Sequence, residues 1–313
     1  MIPKIYCFLF ILIASITSMM AQVTDAESIL KAKSTVTEDV WVKGLTTGLN
    51  MSQTTLKNWA AGGQESFALN AYLNVFANHK KGKLAWDNSL NVGYGLLKQK
   101  STSYYMKTDD KFDILSKFGV EAFKNFYYAG MVNFKTQMDE GYNYPDVSTP
   151  ISKFMAPAYI TAALGMDYKP NAYLSAFLAP ITGKMTIVND DTLSSKGAFG
   201  VDLNKKTRSE FGGYIRVIYT RNDFKPELLK NVSLTTKADF FSNYLNNPEK
   251  VDVNWENIIS MKVNKYISVN LTTQLIYDYD VKFDELNSDG ITYRKVDKVQ
   301  FKEIFGAGIS TKF

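Results

Sequence analysis

The sequence predicts an all-β chain closed into an antiparallel transmembrane β-barrel of about twelve strands. Three observations predict it: long segments in which apolar and polar residues alternate, connections that alternate short and long, and a last segment that ends on an aromatic residue. The alternation is clearest between Val251 and Tyr279. Val251, Val253, Trp255, Ile259, Met261 and Val263 share one face of an extended chain, with Asp252, Asn254, Glu256, Ser260 and Lys262 on the other. After Asn264-Lys265-Tyr266 the pattern resumes, Ile267, Val269, Leu271 and Leu275 opposing Ser268, Asn270, Thr272 and Gln274. Each arm is about thirteen residues long, whereas strands of soluble sheets run about five or six. A tilted strand crosses a bilayer in about nine to eleven. The pattern therefore suggests a hairpin whose apolar face meets lipid and whose polar face meets a lumen, the alternative being a long hairpin of a soluble β sandwich.

The chain begins with Lys4, an apolar run from Ile5 to Ile16 and Thr17-Ser18-Met19-Met20-Ala21, which reads as a secretory signal peptide over residues 1–21. That run is too short to span a bilayer as a helix. Cys7 lies inside it, so the remaining chain has no thiol for a disulfide, a nucleophile or a metal site. Residues 22–40 are polar and lack alternation, which predicts a periplasmic lead, and residues 41–313 form the barrel domain. A mean hydropathy of −0.17 is compatible with a membrane barrel, because alternation averages each strand to a middling value. The 36 basic and 31 acidic residues are spread along the chain, so no basic block points to nucleic acid.

The first strand is expected over Leu45–Gln53 and the second over Ser66–Asn78. The turn 79–83 leads to a third strand from Leu84 to Leu96, and a fourth from Lys111 to Ala122 is separated by Lys124-Asn125 from a fifth, Phe126–Met138. The loop 139–155 precedes a strand over Ala158–Tyr168, and Lys169-Pro170-Asn171 turns it into Tyr173–Thr186. Pro180 cannot donate to a ladder, so a bulge is expected there. Further strands cover Thr207–Thr220 and Val232–Phe241, then the hairpin already described and the terminal strand. Turns at 79–83, 124–125, 169–171 and 264–266 are short, and connections at 54–65, 97–109, 139–155, 188–205 and 280–298 are long. Outer-membrane barrels sort their connections in this way, short on the periplasmic side and long outside, and a soluble sandwich has no reason to. In the last strand Phe305, Ile309 and the terminal Phe313 share a face, which is similar to the signal that barrel insertion machinery reads.

Six stretches occur in order: Asn58-Trp59-Ala60-Ala61-Gly62-Gly63, Trp86-Asp87-Asn88, Ala156-Pro157-Ala158-Tyr159, Gly165-Met166-Asp167-Tyr168-Lys169-Pro170, Ala179-Pro180-Ile181-Thr182-Gly183-Lys184 and Gly197-Ala198-Phe199-Gly200-Val201. Together they resemble a family of Bacteroidota envelope proteins of unknown function, over about Trp41 to Phe313. The resemblance implies secretion and an outer-membrane-type barrel, and it carries no catalytic residues.

On the polar faces lie Asp87, Asp113, Glu121, Asp167, Asp239, Asp252, Glu256 and Asp278, together with Lys111, Lys117, Lys135, Lys237, Lys262 and Arg216. Such a set could perform acid–base work, line a selective pore or neutralise itself inside a closed lumen, the last being the default. His79 is the only histidine. It is expected in a solvated turn, a poor place for a catalytic base, and without a second histidine or a cysteine it makes no zinc site. In the first long loop Trp59, Gly62 and Gly63 suggest an inward tuck or a binding epitope. Asp139-Glu140 and Asp190-Asp191 are acidic loop pairs that could hold calcium, a solvated face being the commoner outcome.

The expectation is thus a non-enzymatic outer-membrane protein without a cofactor, either a narrow channel or a scaffold for envelope partners. Membrane lipid and the insertion machinery are its expected contacts. A barrel enzyme acting on lipid or surface polymer and a soluble periplasmic β protein are the alternatives.

Overall fold

The computed structural model describes residues 39–58, 60–61, 63–171, 173–264, 267–287 and 291–312. The predicted signal peptide, most of the predicted lead, Trp59, Gly62 and Phe313 lie outside them. The strands, in chain order, are β1 (Val40–Thr54), β2 (Ser66–Lys81), β3 (Leu84–Gln99), β4 (Met106–Phe123), β5 (Phe126–Thr136), β6 (Gly141–Tyr142), β7 (Pro150–Ser152), β8 (Ala158–Tyr168) and β9 (Leu174–Ile187). They continue with β10 (Thr207–Arg221), β11 (Val232–Asn243), β12 (Val251–Lys262), β13 (Ile267–Tyr277), β14 (Lys282–Leu286), β15 (Tyr293–Asp297) and β16 (Gln300–Lys312).

Twelve of these close a barrel in the order β1-β16-β13-β12-β11-β10-β9-β8-β5-β4-β3-β2, every neighbouring pair antiparallel. The order is the chain order apart from two small hairpins, β6–β7 and β14–β15, which sit in the long connections. The predicted hairpin is observed with Trp255 opposite Leu275 and Ile259 opposite Leu271. Its apolar face points out of the barrel, Trp255 being 47% exposed, and Ser260, Ser268 and Asn270 on the other face are buried. Phe305 and Ile309 also point outward, at 67% and 64%. An outer wall this apolar and this exposed has the polarity of a barrel facing hydrocarbon.

Several boundaries move from their expected places. β1 starts five residues earlier than expected, because it pairs with the whole of β2 down to Val40–Lys80. The second long loop shortens to residues 100–105, β3 and β4 extending each other's ladder past a bulge at Gly95–Leu96. His79 is not in a turn: the strand continues to Lys81 and Gly82-Lys83 alone make the reversal, Gly82 taking a positive φ of 53°. The His79 ring stacks on Trp41 at 4.8 Å, and its Nε2 lies 2.8 Å from Asp39.

The bulge expected at Pro180 is present. Leu164 faces Ile181 and Met166 faces Leu178, so Ala179 and Pro180 together oppose Gly165. A Cβ on Gly165 would stand 2.0 Å from the Leu178 carbonyl oxygen, which leaves glycine as the residue that fits. The bulge reverses the facing of the strand beyond it, and this turns Thr182, Lys184 and Thr186 into the barrel.

Candidate functional site: the charged lumen

Inside the barrel the alternation places acids and bases in reach of one another, and the ring of strands decides which meet. β4 and β12 lie six places apart among the twelve strands, on opposite walls. Lys111 of β4 nevertheless donates to Glu256 of β12 at 2.9 Å, so this ion pair crosses the full lumen. Lys135 of β5 reaches Asp239 of β11, four strands away, at 3.5 Å, and Arg216 of β10 approaches the same carboxylate at 3.4 Å. Tyr214 also donates to Asp239, at 2.6 Å. The charged groups therefore act as braces between walls as well as lining.

These braces, with the groups around them, line a cavity of about 380 Å³. Its charged lining comprises Asp110, Asp113, Asp239, Asp252, Glu256 and Asp278 against Lys111, Lys135, Lys184, Arg216, Lys237 and Lys302. Six acids against six bases leave the cavity without net charge, which removes any strong preference for ions of one sign. Asp113 accepts from the Asn133 amide at 2.6 Å and Asp278 from the Asp280 backbone N–H at 2.9 Å.

Toward the short turns the interior fills up. Lys117 donates to Asp167 at 2.5 Å and lies 3.8 Å from Asp87; Lys169 lies 2.6 Å from Asp87 and 3.5 Å from Asp167. Ser175 donates to Asp167 at 2.9 Å. Beside this cluster Met131, Phe177, Tyr214 and Phe241 form a buried apolar layer that Leu115 packs against. The Phe76 and Tyr72 rings lie across Gly44 and Gly48 of β1, covering the remaining sector. The lumen is thus a polar cup with a packed floor.

Twelve of the fourteen expected lumen residues appear in the braces, the cavity lining or the floor cluster, Asp252 and Lys237 through the lining. Glu121 and Lys262 sit near the short-turn ends of β4 and β12, paired in register with Tyr127 and Ser268 on the inward face. Sequence reasoning missed seven contributors to the ion pairs, Lys169, Lys184, Arg208, Glu210, Lys302, Asp109 and Asp280. Lys184 pairs with Asp252 at 2.6 Å and lies 3.5 Å from Glu210; Arg208 lies 3.3 Å from Glu210 and 2.8 Å from Asp280; Lys302 pairs with Asp109 at 2.8 Å. Lys169 belongs by sequence to the turn after β8, from which its long stem reaches back inside.

Asp252, Asp278 and Asp280 bring carboxylate oxygens within 4.8 Å of one another, the kind of group that could hold a cation. Lys184 and Arg208 already stand against two of them, so their charge is met by side chains. The two acidic loop pairs are similarly engaged. Asp190 caps the N-terminus of helix α1 (Asp191–Ser195), accepting from the Leu193 N–H at 2.8 Å, and pairs with Lys153 at 2.6 Å. Lys153 and that backbone amide hold the Asp190 carboxyl below its usual range. Asp139 accepts from Tyr94 at 2.5 Å. Gly63 takes a φ of 131°, open only to glycine, beside the Leu56 side chain.

Residues 51–142 match a family described as a protein of unknown function, DUF3078. The match spans the first two of the six sequence motifs. No curated protein matches the chain. Three solved structures are similar in fold. An outer-membrane channel from Pseudomonas putida F1 is 8% identical with a TM-score of 0.40, over 89% of this chain and 97% of that one. The translocator domain of the autotransporter NalP from Neisseria meningitidis is 9% identical with a TM-score of 0.36, over 92% and 94%. Outer membrane phospholipase A from Escherichia coli is 12% identical with a TM-score of 0.35, over 93% and 98%. The assignment of a closed barrel rests on the strand pairing itself.

Proposed function

We propose that the chain is a non-enzymatic outer-membrane β-barrel that serves as a narrow channel for small polar solutes and is held closed at rest by ion pairs across its lumen. The apolar, exposed outer wall supports the membrane location, since a polar solvent would leave Trp255, Phe305 and Ile309 without a compensating surface. The observation that carries the closed-channel reading is the Lys111–Glu256 pair, joining walls six strands apart at 2.9 Å. A solute passes only when these braces and the Lys117–Asp167 cluster of the floor exchange partners, and the neutral cup the braces line selects by size and polarity.

Planar-bilayer conductance tests this. The wild-type protein is expected to give small, infrequent steps, and Glu256→Gln and Lys111→Gln to raise the open probability several-fold. Absence of steps above background in all three proteins would remove the channel. The scaffold version has its own observation: the β14–β15 hairpin in the last long connection exposes Leu286, Ile291 and Tyr293, at 49%, 80% and 66%. Deleting residues 282–297 should then abolish co-purification of envelope partners while leaving the barrel folded, and unchanged co-purification would rule that version out.

A further inference from the structure

We infer that the barrel opens sideways at the seam between β1 and β16, and that this opening admits the head group of a membrane amphiphile from the long-loop side into the cup. The inference rests on the reading of the wall as membrane-facing, and it adds a substrate class and a route to the channel proposal. The seam is the discontinuity in an otherwise uniform wall. Elsewhere adjacent barrel strands are matched over ten to sixteen residue pairs among the described residues. β1 and β16 are matched over five, from Thr46–Lys312 to Asn50–Gly308.

The ladder stops halfway up, while both strands continue. Met51 to Thr54 remain paired with β2, as Leu69 to Ser66, and Gln300 to Ala307 remain paired with β13. Beyond Asn50 each edge is held by its other neighbour alone, β1 by β2 and β16 by β13. Backbone groups left unpaired in hydrocarbon keep their desolvation penalty, so a wall built to be sealed would not leave them. They are tolerated where a polar group can meet them. The last latch is Asn50: its side chain lies against Gly306 and Gly308, where a Cβ would stand 3.2 Å and 2.3 Å from it.

The two sides of the opening differ in polarity in the sense an amphiphile needs. Outside, Leu49, Met51, Phe301, Phe305 and Ile309 are all about half exposed or more and form an apolar lip for an acyl chain. Inside, Lys302 of β16 and Gln274 of β13 belong to the cavity lining, which therefore extends to the strand bordering the seam. The equal numbers of acids and bases in that lining suit a zwitterionic head group, which can meet both signs without carrying net charge into the cup. Below the cup, the Lys117–Asp167 cluster and the Phe177 layer close the way down, leaving the side as the open route for a tethered molecule.

The test uses full-length protein in vesicles doped with a phosphatidylcholine carrying a diazirine on its head group, with labelled residues mapped by mass spectrometry. Labelling is expected on cup residues such as Lys302 and Gln274. Continuing the observed register puts Met51 opposite Ala307, so Met51→Cys with Ala307→Cys locks the seam when oxidised. The lock should cut cup labelling at least ten-fold, with recovery on reduction, while labelling of Phe301 and Phe305 persists. Label confined to the outer lip in the wild type, or cup label indifferent to the lock, would overturn the lateral opening. Wild-type mapping decides the matter even if the double variant does not fold. Ion conductance read on the same vesicles separates the two proposals: conductance without cup labelling overturns the opening alone, and cup labelling without conductance overturns the channel alone.

Discussion

Two tryptophans on the outer wall illustrate how single residues suit a medium without water. Trp86 donates its indole N–H to Ser116 at 2.9 Å, and Trp255 donates to Thr236 at 2.8 Å, each acceptor on a neighbouring strand. In hydrocarbon an unpaired N–H keeps its full desolvation penalty, so Ser116→Ala should cost about 1–3 kcal/mol, read as a lower denaturation midpoint in detergent. Trp86→Phe, which removes donor and demand together, should cost less. In the lumen the sign of charge is the readable quantity. Glu256→Gln leaves Lys111 without its partner and should shift reversal potentials toward anions, whereas Lys111→Gln should shift them toward cations, measured under a salt gradient. Many of these residues were legible from alternation alone, because a strict period of two assigns every side chain to a face. Lys184 was not, since the Ala179–Pro180 bulge inverts the period just before it. Lys169 was missed for a different reason, its backbone being outside the strand while its ammonium lies within.

At the scale of elements, bulges and caps decide what alternation cannot. Gly165 faces the bulge, and Gly165→Ala would drive a Cβ against the Leu178 carbonyl at 2.0 Å. The expected outcome is a large loss of folded barrel, read as the fraction of protein whose gel mobility changes on boiling, whereas Gly183→Ala, with open space around it, should be neutral. The loop after β9 is pinned by Asp190, whose carboxyl is held below its ordinary value by Lys153 and the Leu193 amide. A depressed acid contributes its stability above the unfolded pKa of about 3.9 and loses it as pH falls through the folded value. Proteolysis within residues 188–206 should therefore rise below about pH 4, and Lys153→Ala should move that onset to higher pH. The extents of the long connections were readable apart from the second, which the β3–β4 ladder shortens, but their contents were not. β6–β7, α1 and β14–β15 are held by hydrogen bonds between residues whose sequence carries no long periodicity.

For the molecule as a whole, strand length and the sorting of connections made the barrel legible, because both follow from crossing a layer of fixed thickness. Closure was not legible in the same way. Which residues of β1 and β16 meet, and for how far, depends on the shear of the whole ring, and no local pattern records it. The packed floor was equally hidden, since Met131, Phe177 and Tyr214 read as ordinary alternating residues until the strands bring them together. A barrel in a membrane requires β12 to have lipid on one side and the lumen on the other. Nitroxide scanning from Val251 to Lys262 in reconstituted protein tests it most directly. Oxygen accessibility should peak at the odd positions, Val253, Trp255 and Ile259, and fall at Asn254, Glu256 and Ser260. Equal access of a water-soluble relaxant to both sets, or the opposite alternation, would contradict the account.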